Sequence, residues 1–266
     1  MSDGTRMNQN VHTTLIDIDH VNHLFPGGVR AVDDANLKIR AGEFVSVVGP
    51  SGCGKTTLLN LIAGLITLHD GRISVAGSAP QAGRHDVAYM LARDCLFPWR
   101  TALENVMLGG EFRGTPLAER RERALMLLER VGLRDFVNHY PKALSHGMRQ
   151  RVALARTFSL KSPVLLMDEP FGALDAQTKL QLEDVLLDLY SAEKRTVMFI
   201  THDLSEAVTL SDRVIVMSPR PGRILADIPI PLPRPRSVKA LQKDPEFHRL
   251  YAEVWGWLEQ ALEQKA

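Results

Sequence analysis

The chain has 266 residues, 45% apolar and 24% charged, with a formal net charge of +1, which allows one large domain or two small ones with a substantial core. So balanced a charge gives no electrostatic case for nucleic acid as the main partner. Two cysteines, Cys53 and Cys95, make neither a disulfide framework nor a zinc site, and the nine histidines include no H-E-x-x-H pair.

The first ten residues, MSDGTRMNQN, are polar, lack the apolar core of a signal peptide and are expected to fray. Thr14 to His20 alternates apolar and polar residues and predicts an edge strand. Phe25-Pro26-Gly27-Gly28 is a turn, with Phe25 either a core aromatic or a flat apolar face for a planar ring. Val32 to Ile39 is a second strand, and Ala41-Gly42 turns the chain into Phe44 to Val48, a short apolar run that predicts a buried parallel strand.

Directly after it, Gly49-Pro50-Ser51-Gly52-Cys53-Gly54-Lys55-Thr56 fits G-x-x-x-x-G-K-[ST] without mismatch, and Thr56 to Ala63 predicts the following helix. Glycines let such a loop turn its backbone N–H groups inward around phosphate oxygens. The helix start adds unpaired donors and partial positive charge. Lys55 is placed to reach the β- and γ-phosphates of a nucleoside triphosphate, and the Thr56 hydroxyl to hold Mg²⁺.

Leu68 to Gly71 is a turn, Arg72 to Val75 a short strand, and Val87 to Leu91 another. Arg93 to Trp99 reads as irregular. Thr101 to Gly109 predicts a helix, with Thr101 as cap and Glu104 three residues on. Pro116 to Gly132 is helical, with Leu125, Leu128 and Val131 at i, i+3, i+6 expected on one face. Arg93 to Tyr140 is thus helical between β-rich flanks, the mark of a helical subdomain inserted in an α/β core. Leu144-Ser145-His146-Gly147 leads into a helix over Met148 to Ser159, where Ser145 is either an ordinary cap or part of an anion site.

Val164 to Glu169 is an apolar strand ending in two carboxylates. In doubly wound sheets ligands lie beyond the carboxyl ends of strands, so Asp168 can hold Mg²⁺ and Glu169 can polarise a water. The alternative is a solvated strand end. Thr178 to Ala192 is a helix and Thr196 to Ile200 a buried strand. It ends at Thr201-His202-Asp203, so His202 is either a capping histidine or a contact for the phosphate end. Leu204 to Leu210 is helical, Arg213 to Met217 the last strong strand, and Arg223 to Ile228 follows a turn. Pro229, Pro231, Pro233 and Pro235 demand an extended stretch outside any central strand, a stiff surface connection. Phe247 to Gln264, with Trp255 and Trp257, predicts a terminal helix packed on the body, with no further domain after it. No run approaches about 18 consecutive apolar residues, so no membrane span is predicted.

The order and spacing of these motifs, from about Thr14 to Arg236, resemble the ATP-binding subunits of ABC transporters. Gly49 to Thr56 resembles their Walker A loop and Leu165 to Glu169 their Walker B strand with its catalytic glutamate. Phe25 falls at the aromatic position that stacks on adenine, Phe171 to Asp175 at the D-loop and His202 at the switch histidine. Ser145-His146-Gly147-Met148-Arg149-Gln150 resembles the signature, which in the family grips the γ-phosphate of ATP bound to the opposite subunit. Leu96-Phe97-Pro98-Trp99-Arg100-Thr101 and Val216 to Ile224 (VMSPRPGRI) resemble the importer subfamily for nitrate, sulfonate, taurine and bicarbonate.

The resemblance implies one P-loop α/β ATPase domain over 1–266. It would carry an antiparallel β subdomain, a helical subdomain over 93–160, and a proline-rich segment with a C-terminal helix over 229–266. It implies ATP and Mg²⁺ as cofactors. ATP contacts would come from Phe25, Gly49, Pro50, Ser51, Gly52, Cys53, Gly54, Lys55, Thr56, Thr57 and Asp168, and from Ser145 to Met148 in trans. Thr56 and Asp168 would hold the metal, and Lys55, Glu169 and His202 would carry catalysis. A homodimer is implied, at the cytoplasmic face of the inner membrane. It would meet permease subunits near Ala92–Arg100 and, through them, a periplasmic solute-binding protein, and no nucleic acid.

Two positions depart from the family pattern. Ala92 stands where a glutamine usually ligates Mg²⁺, leaving Asp94 or a water to replace it or coupling to weaken. His146 stands where glycine is usual. Competing expectations are an exporter or lipoprotein-release ATPase, which Pro98-Trp99 and Ser218 to Ile224 disfavour, and a nucleotide-gated module with little turnover, which Ala92 favours. A DNA-repair ATPase would need a long coiled coil or basic groove that the chain lacks.

Overall fold

The computed structural model describes residues 13–263; the polar N-terminal stretch expected to fray and the last three residues lie outside them. Two sheets organise the chain. The smaller is antiparallel, with β1 (Thr14–Phe25) between β2 (Val29–Arg40) and β4 (Asp70–Val75). The expectation of an edge strand at Thr14 to His20 is therefore corrected. The strand runs on to Phe25 and pairs on both sides, Ile16 facing Ile39 on one neighbour and Val75 on the other. Alternation reports a half-buried face and says nothing about how many neighbours a strand has.

The larger sheet has the order β5-β6-β7-β3-β8-β9. Its strands are β3 (Phe44–Val48), β5 (Val87–Met90), β6 (Val164–Asp168), β7 (Thr196–Ile200), β8 (Arg213–Met217) and β9 (Ile224–Pro229). All pairs are parallel except β8–β9. Pro229 ends the edge strand, where a missing N–H costs no ladder bond. Every residue of β3 is buried because both sheet faces are covered. Phe44 packs with Leu165, Met167, Val197 and Phe199 against helices on one face. Val45 and Val47 pack with Leu166, Met198 and Ile200 against the small sheet and α1 (Lys55–Ile62) on the other.

The helical subdomain holds α2 (Ala102–Phe112), α3 (Leu117–Arg130) and α4 (His146–Ser159), which pack on one another. Thr101 and Glu104 close a capping box at the start of α2. Helix α3 and its C-cap bury Ala124, Leu127, Leu128 and Val131, while Leu125 is 37% exposed, which corrects the expectation that it shares a face with Leu128 and Val131. The seam follows i, i+3, i+4 and i+7 from small Ala124, not an i, i+3, i+6 series.

Helices α5 (Ala176–Glu193) and α6 (Leu204–Leu210) follow β6 and β7. The proline-rich stretch beyond β9 is pinned by Arg236, whose guanidinium donates to the carbonyls of Thr209 and Ser211 at 3.0 and 2.7 Å. It leads through α7 (Val238–Leu241) to α8 (Pro245–Glu263). That helix docks through Phe247, Leu250, Val254 and Ala261, and its tryptophans Trp255 and Trp257 face outward. Among the described residues no helix is long and apolar enough to cross a membrane.

Candidate functional site

The registers of three neighbouring strands set the site. Asp168 on β6 pairs with Ile200 on β7, and Ile200 pairs with Val47 on β3. The three strands therefore stop level, and the segments that leave them meet at one edge of the sheet. Glu169 leaves β6 with its N–H on the Ile200 carbonyl (3.0 Å), and Thr201 leaves β7 with its N–H on Val47 (3.3 Å). Gly49 opens the phosphate loop after β3. This edge is where ligands sit in parallel sheets.

Within the loop, Gly54 has φ +108°, and an added Cβ there would lie 2.5 Å from the Ala31 carbonyl oxygen, so only glycine lets the loop turn into α1. Lys55 is buried, and its Nζ donates to the carbonyls of Gly49 (2.8 Å) and Pro50 (3.1 Å). The ammonium is thus folded over the concavity of the loop. Cys53 packs beside that ammonium. Its thiol is buried, 3.9 Å from Lys55 Nζ, and burial pushes its pKa up against the pull of that charge. Cys53 therefore offers a backbone group, not a side chain.

A cleft of about 230 Å³ opens over the loop, lined by Phe25, Ser51, Gly52, Gly54, Lys55, Thr56, Thr57, Glu169 and Arg220, with Val29 and Ala31. Phe25 is 38% exposed on its wall and meets His23 edge-to-face at 4.7 Å, so it is not a core aromatic. Thr56 donates its hydroxyl to Asp168 Oδ1 at 3.1 Å. Burial lifts the Asp168 carboxyl above its ordinary range, the Thr56 bond opposes this, and the Glu169 charge adds to it. Among the described residues no three His, Cys, Asp or Glu side chains form a metal cage. One hydroxyl and one carboxylate in contact are instead the sparse hard-oxygen set that Mg²⁺ takes when water and phosphate complete its shell.

Glu169 has φ +46°, a left-handed conformation uncommon for a residue with a side chain. Its Oε2 lies 3.4 Å from His202 Nδ1. Behind the histidine, Asp203 caps α6 and is held by Lys179 at 2.5 Å, and Lys179 also reaches Glu206 at 2.7 Å. Glu206 accepts from the Thr201 hydroxyl. Glu183 is buried beside this cluster, and desolvation followed by the Glu206 charge pushes its pKa up to about 8. The fold therefore keeps a proton that the unfolded chain loses near 4.5. Stability from this group is complete at acid pH and is lost as pH rises from there through 8. Glu183→Gln removes the titration, so its melting temperature should gain on the wild type as pH goes from about 5 to about 8. Parallel melting curves over that range would count against the assignment.

The signature residues lie elsewhere. Ser145 caps α4, its Oγ accepting from Met148 N at 3.2 Å, and none of Ser145 to Met148 lines the cleft. His146 Nδ1 lies 3.3 Å from Arg149 Nη2. Arg149 Nε in turn holds Asp94 Oδ2 at 3.0 Å. Asp94 is therefore engaged by α4 and does not line the cleft. Gln150 donates to the Ala92 carbonyl at 3.0 Å, and Arg156 donates to the carbonyls of Asp94 and Cys95. Sequence reasoning placed Arg149 and Gln150 in the signature and Arg220 in the subfamily motif, but assigned no contact to these or to Arg156. The signal available was the cluster of cations after the signature and the arginine inside a Pro-flanked turn.

Residues 32–172 match the sequence profile of the ABC transporter family. The chain belongs to that family. A taurine import ATP-binding protein of Rhizobium johnstonii is 41% identical over 251 residues, covering 90% of this chain and 95% of that protein. A nitrate import ATP-binding protein of Synechocystis sp. is 41% identical over 250 residues, 92% of this chain and 94% of that protein. Among solved structures, a dimeric bacterial ABC transporter cassette superposes with a TM-score of 0.72 at 33% identity, covering 81% of this chain and 98% of that one. This ABC ATPase thus has the P-loop core with antiparallel and helical subdomains. It binds and hydrolyses ATP, and its hydrolysis serves transport, as in importer ATPases.

Proposed function

We propose that this ABC ATPase works as a Mg²⁺-dependent homodimer at the cytoplasmic face of the inner membrane. There it drives import of a small anion, of the nitrate, sulfonate or taurine class, through a separate permease. The observation that carries the reading is the level strand edge, with Lys55, the Thr56–Asp168 contact and the Glu169–His202 pair around one cleft while Ser145 caps a helix outside it. One chain then carries two incomplete halves of a site. Two-fold association completes both, because a self-complementary interface repeats each contact.

In this reading the loop from Gly49 to Thr56 turns its N–H groups to the phosphates, and Lys55 exchanges two loop carbonyls for β- and γ-phosphate oxygens. Phe25 presents its exposed face to adenine. Thr56 and Asp168 would hold Mg²⁺, which would supply neutralising charge beside the phosphates. Glu169 orients a water and takes its proton as the water oxygen bonds to the γ-phosphorus. The bond from that phosphorus to the bridging oxygen breaks, leaving ADP and phosphate. His202 fixes Glu169 and the γ-phosphate end.

The taurine- and nitrate-importing relatives support the solute class and the direction. Permease subunits would dock near Ala92–Arg100 and receive solute from a periplasmic binding protein. With an alanine at 92, coupling would run through α4, which grips Ala92, Asp94 and Cys95 from the signature helix itself. The same alanine favours a second reading, a nucleotide-gated module of weak turnover, which steady-state phosphate release by the assembled complex separates from the first.

Dimerisation is tested by sedimentation. Glu169→Gln with ATP should run as a dimer, and adding Ser145→Arg should return it to a monomer. A Glu169→Gln chain that stays monomeric with saturating ATP, or a Ser145→Arg double variant that still dimerises, would overturn the shared site. Uptake of labelled nitrate against taurine by the reconstituted complex tests the solute class.

A further inference from the structure

The cleft over the phosphate loop has a second cation that the motifs leave unassigned. Arg220 belongs to the turn between β8 and β9, and its side chain is exposed. Its Nε and Nη2 each lie 3.3 Å from the carbonyl oxygen of Gly52, inside the phosphate loop. A neutral carbonyl shared at that distance is a weak partner for a guanidinium. Among the described residues no carboxylate forms an ion pair with Arg220, whereas Arg223, three residues on, is paired with Asp33. Arg220 is therefore an uncompensated charge on the rim of a cleft whose other cation is Lys55.

The turn that carries it is built as a wall of that cleft. Ser218 donates its hydroxyl to the Pro221 carbonyl and accepts from Arg223 N, each at 2.9 Å. Gly222 is locked to β2, its N–H on the Ala31 carbonyl (3.0 Å) and its own carbonyl accepting from Asp33 N (3.0 Å). It also packs directly on the phosphate loop, since an added Cβ would collide with the Cys53 carbonyl oxygen. Two glycine contacts to Ala31, from Gly54 and from Gly222, thus tie loop, turn and β2 into one unit. The guanidinium is held where it is by backbone and not by a salt bridge, which leaves its charge free for a ligand.

We propose that Arg220 is a nucleotide-binding residue, whose guanidinium leaves the Gly52 carbonyl to contact the polyphosphate of ATP or ADP. The proposal rests on the reading of this cleft as the nucleotide site. Phosphate, not the base, is the partner because the guanidinium already sits against the phosphate loop itself, and its positive charge is what phosphate oxygens attract. The contact deepens with phosphate charge, so Arg220 discriminates tri- and diphosphates from monophosphates.

Equilibrium binding of ATP, ADP and AMP to the full chain tests this, with Arg220→Ala, Arg220→Lys and Lys55→Ala compared to wild type. Arg220→Ala should weaken ATP and ADP about tenfold, as loss of a charge-assisted bond does, and leave AMP within about twofold. Arg220→Lys, which keeps the charge, should retain most of the ATP affinity. Equal losses for all three nucleotides would assign Arg220 to the base or to bracing the loop and overturn the proposal. A lysine as poor as alanine would assign the loss to the Gly52 hydrogen bonds and also overturn it. No loss in Arg220→Ala, with ATP binding weakened in Lys55→Ala, sinks the proposal and spares the site. If Lys55→Ala binds ATP as wild type does, it is the site reading that fails.

Discussion

Lys55→Ala should lower steady-state phosphate release by at least about a hundredfold, the rate equivalent of about 3 kcal/mol of lost transition-state stabilisation. The size of the effect comes from burial. Lys55 is 6% exposed, with its Nζ held by the carbonyls of Gly49 and Pro50. A cation preorganised in this way needs little reorganisation when charge develops on the transferring phosphoryl group. Alanine removes that charge and leaves the Gly49 and Pro50 carbonyls without it. ATP affinity should fall along with turnover, because the ammonium is in place before the chemistry begins. Phosphate release and nucleotide binding, both measured on the assembled complex, check this. Turnover within threefold of wild type would remove Lys55 from the catalytic machinery.

The parts of this site that were legible in the sequence are those that local spacing dictates. A buried five-residue strand, a glycine loop and a helix start are contiguous, so the residues from Phe44 to Ile62 announce their own geometry. The strand ends at Asp168 and His202 were legible for the same reason, since an apolar run that stops at a polar residue marks the edge of a buried strand. What the sequence hid is pairing between distant segments. Nothing in Thr14 to His20 says that β4, far along the chain, will close its second edge. The Leu125 misplacement came from reading every third residue where the α3 seam is carried by Ala124, a residue too small to weigh in an apolar count. Arg220 lies 168 positions from Gly52, and Arg149 lies 55 from Asp94, so no window of sequence contains either contact. Ser145 shows the opposite limit. Its cap geometry was legible and is present, yet the same geometry suits an ordinary helix start, and only a second subunit distinguishes the two.

Glu169→Gln should separate binding from chemistry. Glutamine keeps the shape of the side chain and can still orient a water through its carbonyl oxygen, but it cannot take the proton that the water must lose as its oxygen bonds to phosphorus. General-base assistance of this kind is worth about a hundred- to ten-thousand-fold, so turnover should fall within that range. ATP affinity should stay within about threefold, because Glu169 leaves the end of β6 and is no part of the loop from Gly49 to Thr56. The left-handed backbone at Glu169 strengthens the expectation. That conformation goes with a carboxylate 3.4 Å from His202, whose neighbour in the chain, Asp203, is fixed by Lys179. His202→Ala should then lose part of the same rate advantage without adding its full effect to Glu169→Gln, since residues that act as a unit are not additive. Rates for the two single variants and the double variant test this together. Turnover unchanged in Glu169→Gln would remove the base from the mechanism, and strictly additive losses would mean that Glu169 and His202 act on the γ-phosphate independently of one another.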